Sequence, residues 1–172
     1  MKPDHDAAHL SLPAVEWIPL DGLIQTWATA VVELPQPEAL QATSEALRAL
    51  ALETSARRCY YNACTVRAWD QPAPELVGQH LSLTLTDLFE AHRHWGLVAE
   101  WLERLARECR QEQAHYPLLR DLFAALSTHQ GYLCRLLARL AEEAVPVTVA
   151  MQQAMARTLA VAFCVTEQEG TV

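Results

Sequence analysis

The stretch EAHRHW, from Glu90 to Trp95, brings two histidines together with an acid and a tryptophan. Histidine binds metals and exchanges protons near neutral pH. At about 100° per residue, however, a helix places His92 and His94 about 200° apart, too far for one metal ion. Ligation from one helix needs the i, i+4 spacing of HExxH. We therefore expect His92 to pack beside Trp95, with a pH-sensitive contact as the alternative, and His94 to pair with Glu90.

Two other histidine patterns have spacings found at metal sites. HDAAH, from His5 to His9, has the i, i+4 spacing of a helical site, but it lies in a predicted frayed terminus. EQAH, from Glu112 to His115, matches the ExxH half of a di-iron carboxylate site. That site needs a second such motif and two further glutamates facing inward, but the sequence contains only this copy, at a helix end just before Pro117. The sequence therefore predicts no metal ion and no cofactor.

The stretch RRCYYNAC, from Arg57 to Cys64, is rich in residue types that dominate binding hot spots. Tyr61 and Cys64 follow the predicted apolar line of their helix, and they are assigned to the core. Arg57, Arg58 and Tyr60 are predicted to contact a partner protein. The alternative is a solvated face with one buried tyrosine.

Prolines divide the chain into pieces of helical length, at positions 35 and 37, 72 and 74, 117, and 146. The pattern predicts an all-α, single-domain bundle of about five main helices, the fifth beginning after Pro146. Short connections join antiparallel neighbours, so the third and fourth helices are expected to form an antiparallel hairpin. The predicted boundaries are a flexible tail over 1–13, the helical bundle over 14–167 and a C-terminal tail over 168–172.

Apolar residues recur at steps of three and four along each long piece, which is typical of amphipathic helices. The predicted line of the second helix is Leu40, Leu47, Leu50, Thr54, Tyr61 and Cys64. That of the third helix is Leu85, Leu88, His92, Trp95, Ala99, Leu102, Ala106 and Cys109. That of the fourth helix is Leu119, Leu122, Leu126, His129, Leu133, Leu136 and Leu140.

The third helix carries a second apolar stripe, formed by Leu97, Val98, Trp101 and Leu105. A helix that is apolar on two faces is central in its bundle, or shared between the core and a partner. We therefore expect Leu97, Trp101 and Leu105 to contact a partner protein or a second copy of the chain.

Antiparallel pairing about a turn near His115 predicts which residues of the third and fourth helices meet. It brings His129 close to Trp101, and Cys134 close to Trp95. It also separates His92 from His129 by about 13 Å along the helix axis, at about 1.5 Å per residue. A metal ion shared by these two histidines is therefore not expected.

Bulk composition excludes several classes of protein. The formal net charge of −8 opposes binding to nucleic acid. Five cysteines without a CxxC pair indicate a reduced, cytoplasmic compartment. Gln152, Gln153 and Arg157 interrupt the most apolar segment, so no membrane span is predicted. Arginine supplies every basic residue but Lys2, a bacterial-like bias typical of a GC-rich genome, although arginine also favours interfaces.

No nucleophile motif and no phosphate-binding loop occurs in the sequence, which lowers the expectation of an enzyme. We therefore predict a non-catalytic cytoplasmic protein that binds another protein and forms a homodimer. It would act as an adaptor, a chaperone, or an inhibitor or anti-activator of a regulatory protein. The alternative is a helical sensor or enzyme that binds a metal, haem or small molecule between its helices. Residues suited to such a pocket, or to a pH-sensitive contact, are His92, His94, Trp95, Trp101 and His129.

A DNA-binding regulator is a third class, which the negative charge disfavours. Arg104, Arg107 and Arg110 nevertheless lie close together on one predicted helix. DNA retention that depends strongly on salt would revive this class.

Overall fold

Four helices account for most of the chain. The structure is a computed structural model that describes residues 12–109 and 114–169, with side chains over 12–109 and 114–143 and at Gln153. The helices are α1 (Asp21–Val31), α2 (Glu38–Arg67), α3 (Pro74–Glu108) and α4 (Tyr116–Glu169). The described ranges contain no strand, so the all-α prediction is confirmed. None of the helices searched within these ranges has an apolar stretch long enough to cross a membrane.

The last helix passes through Pro146 without a break. The predicted start of a fifth helix at this proline is therefore wrong, and the described residues form four helices. A proline removes one backbone hydrogen bond and can kink a helix, but the helix can continue beyond it. Side chains from position 144 onward, apart from Gln153, lie outside the described residues.

The apolar line of α4 is buried as its spacing predicts. All seven positions of the predicted line are buried, and six of them are leucines: Leu119, Leu122, Leu126, His129, Leu133, Leu136 and Leu140. Each buried leucine contributes about 1.5–3 kcal/mol relative to an exposed one. This line therefore supplies six buried leucines to the core.

Helix α3 is central, because it packs against both α2 and α4. Its buried positions include Val77, Leu81, Thr84, Leu88, Ala91, Trp95, Val98, Leu102 and Leu105. The predicted line is half right. Leu88, Trp95, Leu102 and Cys109 are buried, whereas Leu85, His92, Ala99 and Ala106 are half-buried. The buried face lies between the two predicted stripes because α3 has a neighbour on each side.

The core face of α2 is an alanine line, not the predicted leucine line. Its buried positions are Ala39, Ala42, Ala46, Ala49, Glu53, Ala56, Tyr60, Ala63 and Val66. Leu40, Leu47 and Tyr61 of the predicted line point outward and are exposed. The prediction is wrong here because small side chains let two helix backbones approach closely. The larger side chains of α2 then lie on its other faces.

The contacts between α3 and α4 differ in register from the predicted ones. His92 Nε2 lies 3.2 Å from Cys134 Sγ, and the rings of Trp95 and His129 are 5.6 Å apart. These contacts therefore have α3 and α4 running in opposite directions where they meet. The predicted pairing, with His129 near Trp101 and Cys134 near Trp95, is wrong. That pairing assumes a turn centred on His115, whereas the midpoint between Glu108 and Tyr116 lies near residue 112.

The chain before α1 is packed against the bundle. We call residues 12–19 the N-terminal segment. Leu12 and Pro13 are buried, although both were assigned to the predicted tail. Later residues of the segment and of α1 contact earlier residues of α2: Pro13 contacts Tyr60, and Trp27 contacts Thr43. The N-terminal part of the described chain thus runs antiparallel to α2.

Candidate functional site

A carboxylate lies in the core, on the alanine line of α2. Glu53 is 1% exposed, and its Oε1 accepts hydrogen bonds from Trp95 Nε1 at 2.7 Å and from His129 Nε2 at 2.6 Å. Burial of a carboxylate is costly unless donors surround it. The indole and imidazole donors, one from α3 and one from α4, meet this requirement. Glu53, Trp95 and His129, which we call the buried triad, thus join three helices.

The N-terminal segment covers the triad through Tyr132. The Tyr132 hydroxyl donates to the Glu16 carbonyl at 3.1 Å and accepts from the Ile18 amide at 3.3 Å, and its ring lies 5.9 Å from His129. Burial raises the pKa of Tyr132, against a lowering by the Ile18 amide. His129 itself is only 6% exposed. Glu53 and His129 of the triad are therefore enclosed within the bundle.

Side chains of α2 fasten the same segment. Arg57 Nη2 donates to the Ile18 carbonyl at 2.5 Å, and its guanidinium lies 5.3 Å from the centre of the Trp17 ring. The Tyr60 hydroxyl donates to the Pro13 carbonyl. Burial, with a further contribution from Cys64, raises the pKa of Tyr60 to about 12. This hydroxyl therefore keeps its proton, and its hydrogen bond, throughout the neutral range.

An open apolar groove of about 310 Å³ lies between α1 and α2, and we call it the α1–α2 groove. Its lining consists of Leu23, Ile24, Trp27, Ala28, Val31, Val32, Thr43, Ala46, Leu47, Leu50 and Trp95. Thr43 brings a side-chain hydroxyl, which donates to the Ala39 carbonyl at 2.7 Å and accepts from Trp27 Nε1 at 3.2 Å. Trp95 belongs to both the groove and the buried triad. The groove therefore offers shape and apolar surface, with its polar groups already bonded.

The rim of the groove exposes large apolar side chains. Val32 is 79% exposed, Leu47 62% and Ile24 43%. Leu40 lies two turns before Leu47 on the same face of α2, and it is exposed as well. Contiguous exposed apolar surface around a concave site is typical of a binding site. This combination is what distinguishes the groove from scattered exposed residues such as Phe89.

The predicted partner contacts on α3 divide into two kinds. Leu105 is fully buried, so its assignment to a partner surface is wrong for this fold. Leu97 and Trp101 are half-buried, and the Arg104 guanidinium covers Trp101 at 4.5 Å from the ring centre. A partner contact at Leu97 and Trp101 stays a prediction.

Two of the three predicted partner-contact residues on α2 contact the N-terminal segment instead. Tyr60 is buried beneath the N-terminal segment, and Arg57 is half-buried and bound to it, so neither offers a free contact. Arg58 is exposed, and its role stays a prediction. Tyr61, assigned to the core, is exposed instead. Tyr60 is buried and Tyr61 is exposed because the alanine line of α2, not the leucine line, faces inward.

The two histidines of EAHRHW contact different helices, His94 contacting α2 and His92 contacting α4. His94 Nδ1 lies 2.6 Å from Glu45 Oε2 on α2, while Glu90 pairs with Arg93 at 2.8 Å, so the predicted pair of Glu90 and His94 is wrong. His92 faces α4 beside Cys134. Of the predicted pocket residues, Trp95 is the one that lines the α1–α2 groove.

Metal-ligating residues do not gather in the described part of the chain. No group of three or more His, Cys, Asp or Glu side chains is placed there to hold a metal ion. HDAAH lies outside the described residues, and so does Glu112 of EQAH. His115 is half-buried at the start of α4.

Three features of the site are not predicted from the sequence: the burial of Glu53, the packing of the N-terminal segment and the groove. Glu53 had a signal, because it interrupts a line of alanines at steps of three and four. A charged residue in such a line is expected to be buried with partners. The segment has no periodicity, so only the coordinates reveal its side-chain contacts.

No family model, curated protein or solved structure shows significant similarity to this chain.

Proposed function

We propose that this chain is a non-catalytic protein that binds another protein in the α1–α2 groove. The observation that carries the proposal is the groove itself: apolar walls, an exposed apolar rim and no free hydrogen-bonding side chain among its described lining residues. A surface of this kind gains free energy when a partner removes it from water. The described lining also contains no acid, no base and no activated nucleophile for a reaction.

The proposed biological roles are those of an adaptor, a chaperone, or an inhibitor or anti-activator of a regulatory protein, in the cytoplasm. All of these roles work by occupying a surface of another protein. A homodimer is part of the proposal. It is supported by a second region of half-buried apolar side chains, Leu97 and Trp101 on α3, away from the groove.

Photo-cross-linking tests the groove as a protein-binding site. A photoreactive phenylalanine analogue would replace Leu47 in the full chain, inside the cells that produce it. We expect one reproducible cross-linked protein, identified by mass spectrometry. Its yield should fall sharply when Ile24→Asp is added, because a charge then occupies the rim.

The same analogue at Phe89 is the matched control, because Phe89 is equally apolar and exposed but lies on α3. A cross-linked product obtained equally from both positions would be non-specific. Such a result, or no product from position 47, would count against the proposed function.

A second candidate is a sensor for an apolar small molecule. The groove volume of about 310 Å³ is at the lower end of the range of small-molecule sites, and Trp95 provides an aromatic wall. Native mass spectrometry of the untagged protein separates the candidates. A reproducible added mass that Leu47→Asp removes would favour the sensor, and the bare mass of 19.2 kDa or its multiple would favour protein binding.

A further inference from the structure

We propose that the occupant of the α1–α2 groove is a short amphipathic helix that carries basic residues at its ends. This inference rests on the proposed function and adds the class of partner segment to it. Three properties of the groove support it: its hydrogen bonding, its length and the charges at its ends.

The hydrogen bonding of the groove selects a helix over an extended peptide. An extended segment brings unpaired backbone amides and carbonyls, which a sheet edge would satisfy. Both walls of this groove are helices whose backbone groups bond internally, and Thr43 already uses its hydroxyl both as donor and as acceptor. A helix satisfies its own backbone groups, so it can enter an apolar groove without leaving polar groups unpaired.

The length of the groove sets the number of anchor residues. Helix α1 has 11 residues, which corresponds to a wall of about 16 Å. A partner helix lying along it presents about three turns, with apolar side chains at i, i+3 or i+4, and i+7. The exposed rim residues, Ile24 and Val32 on one wall and Leu47 on the other, are the counterparts for those anchors.

The charges at the ends of the groove are acidic. Asp21 begins α1, Glu33 follows its last turn, and Glu38 begins α2. None of these carboxylates has a basic partner among the described residues. Arg48, the basic residue close to this part of α2, pairs with Glu45 at 3.1 Å. With a net charge of −8 behind them, these carboxylates favour a partner with lysine or arginine beside its apolar anchors.

Synthetic peptides test the proposal directly on the full chain. The probe is a leucine/lysine peptide of roughly 14 residues, with leucines on one helical face only. Three matched peptides accompany it: one with glutamate in place of lysine, one with the same composition in scrambled order, and one with two central prolines. Isothermal titration calorimetry should show binding to the first peptide and binding at least about tenfold weaker to the other three.

Variants of the protein locate the binding. Leu47→Asp should abolish binding of the leucine/lysine peptide, whereas Phe89→Asp, an equal change of charge on α3, should leave it unchanged. The double variant Asp21→Asn, Glu33→Gln should weaken binding several-fold. The double variant Glu100→Gln, Glu103→Gln alters the net charge equally on α3, and it should have little effect.

The outcomes separate this inference from the proposed function. Equal binding of the lysine and glutamate peptides would overturn the basic character, and equal binding of the proline peptide would overturn the helix. Peptide binding that is unchanged in the Leu47→Asp variant would place the peptide elsewhere and overturn the inference. A specific cross-link at position 47 would still support the proposed function in all three cases, and its absence would remove both.

Discussion

Helices α2 and α4 bury opposite kinds of residue. In α4 the buried line consists of leucines and one histidine, and in α2 it consists mainly of alanines, while Leu40 and Leu47 point outward. The separation of two packed helices depends on the side chains between them. The leucines of α4 fill space in the bundle, whereas the alanines of α2 bring its backbone close to its neighbour. The large side chains of α2 are thereby left for α1 and for the groove.

Removal of the Glu53 carboxylate, which links the alanine line of α2 to His129 on the leucine line of α4, should have the largest effect on stability. Glu53→Ala leaves the Trp95 and His129 nitrogens without their acceptor, and it should lower the free energy of unfolding by about 3–5 kcal/mol. Urea unfolding followed by circular dichroism measures the change. The double variant Glu53→Leu, His129→Leu replaces the pair with apolar groups, and it should recover part of the loss. A loss below about 1 kcal/mol for Glu53→Ala would contradict a buried, paired carboxylate.

Truncation of one leucine in each helix compares the two lines directly. Leu133→Ala in α4 should cost about 2–5 kcal/mol, because the side chain is fully buried and leaves a cavity. Leu47→Ala in α2 should change stability by no more than about 0.5 kcal/mol, because the side chain is largely exposed. The same unfolding measurement applies to both. Similar losses at the two positions would mean that the buried face of α2 is assigned wrongly.

Enlargement of an alanine gives the reverse comparison. Ala49→Leu places a larger side chain in the close contact of α2 with the core, and it should destabilise the fold by about 1–3 kcal/mol. Ala51→Leu, at an exposed position two residues further on, is the control and should be nearly neutral. Thermal unfolding of the two variants side by side measures the difference. A stable Ala49→Leu protein would show that alanine does not set the approach of α2.

Alkaline pH should release the N-terminal segment from α2. The fold raises the pKa of Tyr60 from 10.0 to about 12, so it favours the neutral hydroxyl. The corresponding stability is complete below about pH 10 and is lost as the pH rises towards 12. Tyr60→Phe should flatten this part of the stability curve, whereas Tyr61→Phe should not. An unchanged slope in Tyr60→Phe, measured by urea unfolding at several pH values, would rule out Tyr60 as its source.

The comparison of α2 with α4 also shows what a sequence can reveal about this fold. In α4 the large apolar residues and the buried positions coincide, so spacing alone predicted every buried residue of its line. In α2 they do not coincide, because alanine is too small to dominate an apolar pattern although it packs best where helices approach closely. Periodicity alone was enough to predict the all-α class. Predicting which face of each helix is buried also required the sizes of the side chains packed against it.

The candidate site depended on tertiary contacts that no local pattern contains. The α1–α2 groove exists because Leu47 faces outward and α1 lies beside it. The triad exists because Glu53, Trp95 and His129 come from three helices whose register is set by the length of a connection. A small error in the centre of that connection moved the predicted partner of His129 from Trp95 to Trp101.

The alanine line has an evolutionary consequence. In α2, most of the buried positions hold alanine, while Leu40 and Leu47 are exposed, so the usual relation between residue size and tolerance to substitution is largely reversed. Over generations, Leu40 and Leu47 can change with little effect on the fold because they are exposed, while Ala39, Ala42, Ala46 and Ala49 must stay small. Relatives of this chain should therefore share their alanines more faithfully than their leucines in this helix. If the α1–α2 groove binds another protein as proposed, changes at the leucines would record changes of partner.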